Sequence, residues 1–474
     1  MKTLTLLPTA LAALALLAGC AAPPLNATAP PRLPGAWTTP QAGPQSGTQA
    51  LPADWWTPLA DPLLPALIER ARAQSPSLAQ ARARLARATA GREAAQAALA
   101  PRVGLELAPQ RGQMAPPLRA STSALWTVQA GWEIDLFGST RASRDAAGQR
   151  AVAAQLNLDQ AQVSLDVEVA QALLAWRHAD AQTRLAAEDQ ALAERLATAD
   201  AAQAQAGVLS SAGAALSQTI AAAARSRHRA WQEQRGIWLQ TLAVLCADEA
   251  NSLATELATR PAALPVPQAL RVETVPAELL ERRPDLRAAL HQWQAAALDA
   301  HAARIDQTTP QLSLGALAGR GRWELSSGTL TGQVWNLAPT LSLPLFDFGG
   351  RAAATAAARA TEAEARAGLE AQWRGAVSEV EQALLRWHAA SAERVDATTT
   401  RQHWQRIAEA TRAQARAGLA SPQAQARDQR NLLTATSAEL DAAREHVAAY
   451  LQLVRALGGG WQASAAATTA AVTP

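Results

Sequence analysis

The amino-acid sequence predicts a mainly α-helical chain with a small β part, in which long antiparallel coiled-coil helices are combined with four membrane β-strands. Three observations favour this fold class: the composition, an internal duplication, and two kinds of hydrophobic periodicity. The chain has 474 residues, of which 49% are hydrophobic but only 4% aromatic. A core so poor in large rings must be packed with Ala and Leu, which suits long helices that lie side by side. The composition disfavours a parallel-sheet enzyme.

Charged residues of both signs are spread along the whole chain. The 43 Lys and Arg against 40 Asp and Glu leave a formal net charge of +3. Such interspersed charges are typical of solvated helix faces, so we expect no nucleic-acid partner. The sequence has no His-Glu-x-x-His motif, no Cys pair at metal spacing and no Gly-rich phosphate loop. We therefore predict that the protein is not an enzyme and that it has no catalytic residues, no metal site and no cofactor.

The N-terminus carries an export signal. Residues 1–19 contain one Lys followed by an apolar stretch, as in a signal peptide, and they end in Leu-Ala-Gly before Cys20. This ending resembles the lipobox of bacterial lipoproteins, which implies that Cys20 becomes the lipidated first residue and anchors the chain in the outer membrane. The alternative is an ordinary secretory signal with a coincidental Cys. Residues 20–52 are rich in Pro and Gly and predict an extended tether, and residues 462–474 predict a flexible tail.

A segment of about 210 residues recurs within the chain. Residues 75–78, Ser-Pro-Ser-Leu, recur as 283–286, Arg-Pro-Asp-Leu, at an offset of 208. Residues 206–210, Ala-Gly-Val-Leu-Ser, recur as 417–421, Ala-Gly-Leu-Ala-Ser, at an offset of 211. Because the offset is nearly constant, we infer that one structural unit is used twice, as two halves of one domain.

The first repeat covers residues 53–264 and the second covers residues 265–461. Each repeat begins with a helix that a Pro opens, because Pro fits the first helical turn. A pair of strands follows, and then a long helical hairpin. The predicted ranges in the two repeats are 77–99 and 285–306 for the helix, 102–136 and 311–346 for the strands, and 140–246 and 350–457 for the hairpin.

Alternating polarity predicts the strands. From residue 126 to residue 136 every second side chain is apolar, and this length matches a membrane-spanning strand. Glu133 and Asp135 lie on the polar side of this strand, where they would face a barrel lumen and influence ion passage, or would form only a solvated face. Pro339 and Pro344 fall in the fourth strand, which would not suit a central position in a sheet.

The two long stretches 140–206 and 350–417 contain no Pro and few Gly. At the helical rise each stretch would be about 100 Å long. In the second stretch apolar residues recur at coiled-coil spacing. They are Leu369, Trp373, Val377, Val380, Leu384 and Trp387.

Four strands are too few to close a membrane barrel, because single-chain barrels start at about eight strands and an open edge is not tolerated in lipid. Several copies must therefore contribute strands to one barrel. The helices are far longer than a bilayer needs, so they must project into an aqueous compartment. An exported chain with this organisation predicts a conduit.

Several short motifs follow one another along the chain, starting with Trp55-Trp56 and Asp61-Pro62-Leu63. By their number and order the sequence resembles the TolC-like outer-membrane efflux proteins, in the lipoprotein branch that serves resistance-nodulation-division pumps. The resemblance covers nearly the whole chain from about Trp55. The further motifs are residues 132–138 (Trp-Glu-Ile-Asp-Leu-Phe-Gly), 276–286, 310–314 (Pro-Gln-Leu-Ser-Leu), 344–350 (Pro-Leu-Phe-Asp-Phe-Gly-Gly) and 456–461.

The resemblance implies a homotrimer, in which three chains supply four strands each to a twelve-stranded barrel and four helices each to a periplasmic tube. The implied partners are a periplasmic adaptor (a membrane fusion protein), an inner-membrane pump and outer-membrane lipid. The implied function is a passive conduit that exports drugs, solvents or metal ions. A type I secretion conduit shares this fold, and a lipid-anchored periplasmic coiled-coil adaptor is a further alternative.

The resemblance assigns adaptor contact to the tips of the two helical hairpins. Each tip is a four-residue segment that opens on Gly, and the alternative role for this Gly is simply to reverse the chain. The predicted contact residues are Gly207, Val208, Leu209, Ser210, Gly418, Leu419, Ala420 and Ser421.

A gate is expected shortly after the second tip, where many relatives carry a ring of acidic residues. This chain departs from that pattern, with Ala424 and Arg427 at the positions where acids are expected and Asp428 next to them. The possible gate residues are Arg427, Asp428 and Arg430. Asp428 either replaces the ring or pairs with Arg427 or Arg430, and the second reading, which we favour, predicts weak cation selectivity.

Overall fold

A computed structural model describes residues 54–112, 121–260, 263–265, 267, 282–325, 328–343 and 345–461 of the chain. The predicted signal peptide, the lipid-carrying Cys20, the tether and the C-terminal tail lie outside the described residues. The described helices are α1 Leu64–Gln74, α2 Pro76–Ala97, α3 Ser139–Gln205, α4 Ser211–Cys246, α5 Ala250–Thr259, α6 Pro284–Thr308, α7 Gly350–Arg416 and α8 Pro422–Ala456. The strands are β1 Arg102–Gly112, β2 Ser121–Ile134, β3 Gln311–Leu325 and β4 Gly328–Ser342.

The described residues form two compact units. The sheet unit contains Ala83–Leu156 and Arg287–Gln372, and therefore all four strands. The helical unit contains the described residues up to Arg82, together with Asn157–Leu286 and the chain from Trp373 onward. The helices α3 and α7 have 67 residues each and contribute to both units. None of the described helices has the length and apolar character that a bilayer crossing needs.

The sheet unit holds one antiparallel sheet with the order β1-β2-β3-β4, so the prediction of four strands in a mainly α-helical chain is confirmed. Val128 on β2 lies opposite Leu105 on β1 and Ala318 on β3, and Ala318 lies opposite Trp335 on β4. Directly opposed residues share a face of the sheet. Val128, Leu105 and Trp335 are all exposed, so the described chain leaves an apolar face uncovered.

The fourth strand contains Pro339 opposite Leu314. Among the described residues β4 pairs only with β3, so one of its edges has no partner within the chain. A Pro is tolerated there because its missing N–H need not face the neighbouring strand. Pro344 lies outside the described residues.

The core of the helical unit is built from small aliphatic side chains with a few large rings. Tyr450 and Trp55 are fully buried, and the Tyr450 hydroxyl donates a 2.7 Å hydrogen bond to the Trp55 carbonyl oxygen. Cys246 is buried, and burial raises the pKa of its thiol to about 11. In the predicted coiled-coil seam of α7, all residues but Val377 are buried, and Val377 is partly buried.

The strands β2 and β3 approach closely where Gly319 pairs with Thr127. A methyl group at Gly319 would overlap the backbone carbonyl of Trp126, whereas a methyl group at Gly315 would lie 3.7 Å from its nearest neighbour, the Ala338 carbonyl oxygen. Overpacking of this kind typically costs about 1–3 kcal/mol. Gly315 therefore provides a matched control on the same strand.

We predict that Gly319→Ala lowers the thermal unfolding midpoint of the purified protein and its amount in cell membrane fractions, because β2 and β3 must separate to admit the methyl group. Gly315→Ala should leave both quantities near their wild-type values. Circular dichroism of the purified variants and immunoblots of membrane fractions measure the two effects. Equal behaviour of the two variants would contradict the close approach at Gly319.

Candidate functional site

The turn between α3 and α4 has the geometry of a Schellman motif. Gly207 adopts a left-handed φ of 72°, and the N–H of Val208 donates to the carbonyl oxygen of Gln203 at 2.9 Å. Ser210 then begins α4, because its hydroxyl accepts a 3.1 Å hydrogen bond from the N–H of Gly213. Gly is required at the first position, since a side chain is strained at this φ.

The turn between α7 and α8 repeats this geometry. Gly418 has a φ of 75°, and the N–H of Leu419 donates to the carbonyl oxygen of Gln414 at 2.8 Å. Ser421 accepts a 3.1 Å hydrogen bond from the N–H of Ala424 and caps α8. The two tips are therefore built by the same residues at the same spacing.

Both tips present an apolar side chain to solvent. Val208 is 77% exposed and Leu419 is 80% exposed. In a Schellman motif the apolar residue at this position usually packs on the side chain five residues earlier, but here that residue is Gln203 or Gln414. Leu209 and Ala420 are half-buried, so Val208 and Leu419 are the accessible apolar groups of the two tips.

The two hairpins contact each other close to their tips. The Gln423 side-chain amide of α8 lies 3.4 Å from the Asp200 carboxylate and 3.4 Å from the Gln203 side-chain oxygen of α3. A polar contact thus connects the start of α8 with the end of α3.

Asp428 faces the inside of its own hairpin. It is 6% exposed, and its carboxylate accepts a 2.8 Å hydrogen bond from the Thr411 hydroxyl of α7 and a 3.2 Å bond from the Arg427 guanidinium. The alternative of a pair with Arg427 is therefore observed. The alternative of a pair with Arg430 is wrong, because Arg430 reaches across to Asp189 of α3.

The first hairpin contains the same kind of bond, but here the carboxylate lies on the first helix of the hairpin and the hydroxyl on the second. Asp200 of α3, which is 7% exposed, accepts a hydrogen bond from the Ser217 hydroxyl of α4. Both pairs join residues 17 positions apart across a tip. Each hairpin thus has one buried carboxylate that is bonded to a hydroxyl of the opposite helix.

Asp189 connects three helices. Its carboxylate accepts a 2.6 Å bond from Arg430 of α8 and a 2.6 Å bond from Arg227 of α4. Burial alone would raise the pKa of Asp189, but these two guanidinium groups hold it below its ordinary value. The carboxylate is therefore ionised at neutral pH and holds α3, α4 and α8 together.

Asp135 lies one position beyond the end of β2 at Ile134, so the predicted strand is too long, and the luminal position of Asp135 stays a prediction. Its carboxylate accepts hydrogen bonds from the N–H of Gly138 at 2.8 Å and from the N–H and guanidinium of Arg141 at 3.0 Å. Burial would raise the pKa of Asp135, but these bonds lower it. Asp135 therefore fixes the start of α3.

Glu133 is the last acid of β2 and lies opposite Ser313 of β3. It shares a face with Gln129, whose side-chain amide donates to Thr127 at 3.4 Å. This is the polar face of the sheet, on the side opposite the apolar face. Its luminal role stays a prediction.

The described residues contain no group of three or more His, Cys, Asp or Glu side chains that could hold a metal ion. Their buried carboxylates are used instead as polar links between helices. The sequence reasoning missed Asp189 and Asp200 in this role. The sequence pattern that would indicate this role for Asp200 is weak, because the acid comes before the tip in the first repeat and after the tip in the second.

Comparison with known proteins decides the family. The family model described as outer membrane efflux protein matches residues 67–247 and 275–459, which together make up most of the chain. The chain belongs to the outer membrane efflux protein family. The predictions of this family, of an efflux channel and of an outer-membrane location are thereby confirmed.

Curated relatives match this outer membrane efflux protein over much of its length. It is 31% identical over 482 residues to the pyoverdine export outer membrane protein OpmQ of Pseudomonas putida, covering 98% of each chain. It is also 31% identical over 337 residues to the outer membrane protein OprJ of Pseudomonas aeruginosa, covering 70% of this chain and 68% of OprJ.

Solved structures share its fold. The outer-membrane channel OprN is 25% identical with a TM-score of 0.77, covering 87% of this chain and 93% of OprN. The CmeC outer membrane channel of Campylobacter jejuni is 18% identical with a TM-score of 0.80, covering 94% and 97% of the two chains.

We predict that Asp428→Ala and Thr411→Val both lower the thermal midpoint of the efflux protein, because each change breaks the same buried hydrogen bond, at a cost of about 1–3 kcal/mol, and Asp428→Ala also removes the bond from Arg427. Neither change should alter the cation preference measured as a reversal potential across a planar bilayer. Thr411→Ser keeps the hydroxyl and serves as the control. A loss of cation preference in Asp428→Ala alone would support a gate instead.

We predict that Asp189→Asn lowers the thermal midpoint at pH 7, since two charge-assisted bonds worth about 1–3 kcal/mol each are weakened. The pKa of Asp189 is lower in the folded than in the unfolded protein, so its stabilisation is present above about pH 4 and is lost as the pH falls through the folded pKa. The gap between wild type and variant should therefore close in acid. The exposed Asp145→Asn is the control, and a gap that persists at the lowest pH would argue against the ion pairs.

Proposed function

We propose that three copies of this chain form the outer-membrane conduit of a tripartite efflux system. The observation that carries the proposal is the uncovered apolar face of a four-stranded sheet whose outer strands, β1 and β4, each pair on one side only among the described residues. In lipid, every backbone N–H and C=O needs a partner, so both edges must meet further strands.

Copies of the chain supply suitable partners for these edges. The four strands alternate in direction, so β4 of one copy can continue antiparallel onto β1 of the next without a break in the pattern. Three copies provide twelve strands, which lies within the range of membrane barrels. The number three follows the resemblance to the TolC-like proteins.

The apolar face has the extent that a bilayer requires. On β2 it extends over the nine residues 126–134, and a tilted membrane-spanning strand needs about 9–11 residues. Trp126 and Trp335 lie at one border of this face, beside the polar residues Arg320 and Gln333. This placement supports an aromatic belt at a membrane interface.

The remaining parts of the assembly follow from the same proposal. Lipid attached to Cys20 would be the only covalent addition and would anchor the chain in the outer membrane. The four long helices would continue the conduit into the periplasm. Energy would come from the inner-membrane pump, and the tips at Val208 and Leu419 would dock the adaptor, because exposed apolar groups are suited to burial against a partner.

The proposed substrates are small molecules selected by the pump. One relative is named for pyoverdine export and another, the Pseudomonas putida protein TtgF, for toluene efflux, at 31% and 29% identity. Relatives of comparable similarity thus serve a polar and an apolar molecule. A wide conduit with little selectivity accounts for both.

We predict that cysteines at Val208 and Leu419 form crosslinks to the adaptor of the same efflux system when a short reagent is added that couples a thiol to an amine of the adaptor. Native Cys246 will not compete, because burial raises its thiol pKa to about 11 and leaves little thiolate. Val395→Cys, exposed on α7 away from both tips, is the control. A functional pump that yields adducts at neither tip would rule out docking there.

We predict that deletion of the gene increases susceptibility to dyes, drugs or metal ions, and that the wild-type chain restores resistance. Gly315→Ala should also restore it, whereas Gly319→Ala should restore less resistance, because the overlap with β2 destabilises the sheet and lowers the amount of folded protein. Growth inhibition assays measure the effect. Unchanged susceptibility together with the loss of a secreted protein would favour a secretion conduit.

A further inference from the structure

A half-enclosed cavity of about 490 Å³ lies within the helical unit, between α3, α4 and α5. Its apolar lining includes Trp176 of α3, Leu239 of α4 and Leu257 of α5. Three guanidinium groups also line the cavity, together with one carboxylate. They belong to Arg177, Arg184, Arg235 and Asp180.

Arg177 is the most deeply placed of these groups. Its side chain is 3% exposed, its Nε donates to Asp61 at 3.1 Å, and its Nη1 donates to the Leu257 carbonyl oxygen at 3.4 Å. Its Nη2 is buried and has no hydrogen-bond partner among the residues that the structure describes. A buried N–H that carries positive charge and lacks an acceptor is costly, so an acceptor from a bound molecule would be strongly favoured.

The charges around the cavity do not balance. Asp180 accepts bonds from both Arg184 and Arg235, at 3.0 and 3.2 Å, and Asp61 pairs with Arg177. Among the described residues Asp61 balances Arg177, whereas Arg184 and Arg235 share Asp180, which leaves one positive charge at the partly exposed rim of the cavity. A molecule with a single negative charge and an apolar body matches this arrangement, whereas a doubly charged phosphate exceeds it.

We propose that this cavity binds an amphipathic monocarboxylate, whose carboxylate accepts from Nη2 of Arg177 and whose apolar body packs against Trp176 and Leu239. This site lies outside the hairpin tips and the sheet, and it does not depend on the conduit function. Small-molecule sites of this kind combine an apolar lining with a few placed polar groups. Arg177 holds the acid, and the positive charge at the rim favours an anion over an uncharged analogue.

The test measures binding of 1-naphthoate to the full protein in lipid nanodiscs by titration calorimetry, with empty nanodiscs as the blank. Neutral 1-naphthylmethanol is the matched probe without the charge. Ala254→Phe fills the cavity from α5, and Arg177→Lys keeps the pair with Asp61 but removes Nη2. Thr255→Phe, on the neighbouring position of α5 and outside the cavity lining, is the control.

We expect 1-naphthoate to bind with one site per chain, and Ala254→Phe and Arg177→Lys each to weaken binding by about ten-fold or more, as the loss of a charge-assisted hydrogen bond or of the cavity predicts. Thr255→Phe should bind like the wild type. Absence of binding, or equal binding by Ala254→Phe, would overturn the proposal. Equal affinity for 1-naphthylmethanol would reduce the site to an apolar cavity and would also overturn it.

Discussion

A lipid bilayer offers no hydrogen-bond partners to a polypeptide backbone, and this constraint governs how the four strands of this outer membrane efflux protein are used. One chain satisfies the backbone between β1 and β2, between β2 and β3, and between β3 and β4, but it leaves the outer edges of β1 and β4 unpaired among the described residues. Its apolar face is uncovered as well. The sheet is therefore a fraction of a larger structure, and its even number of strands lets identical copies join without a change of direction.

The helical part follows a different rule, because helices satisfy their own backbone and are joined through side chains. Ala and Leu fill most of the buried positions, and a few polar links fix how neighbouring helices are aligned. Asp189 with its two arginines, the Asp200 and Ser217 pair, and the Thr411 and Asp428 pair are such links. Buried ion pairs and hydrogen bonds add little net stability over apolar packing, but each is costly to break. Links of this kind therefore fix the alignment of the helices more than they stabilise them.

The candidate site shows where sequence reasoning is dependable and where it is not. The two tips could be located from Gly and Ser alone, because a left-handed turn and a helix cap demand these residue types. The roles of Asp135 and Asp428 could not be read in the same way. Strand periodicity extends to Asp135, yet its carboxylate caps α3, since an Asp can bond to nearby N–H groups whenever the chain turns. For Asp428, a lumen-facing and a hairpin-facing position differ only by a rotation of the helix, which spacing does not reveal.

The sequence by itself determined the fold class, the order of the elements and the duplication, because these depend on local periodicity, on Pro and Gly, and on repeated short motifs. Only the tertiary structure decided which charges meet. Arg430 pairs with Asp189, 241 residues away, instead of with Asp428. Arg177 pairs with Asp61 across 116 residues, and its Nη2 has no partner in the described part of the chain. Pairing over such distances depends on how α1, α3, α4 and α8 pack, and packing is set by the sum of many small contacts that no local pattern encodes.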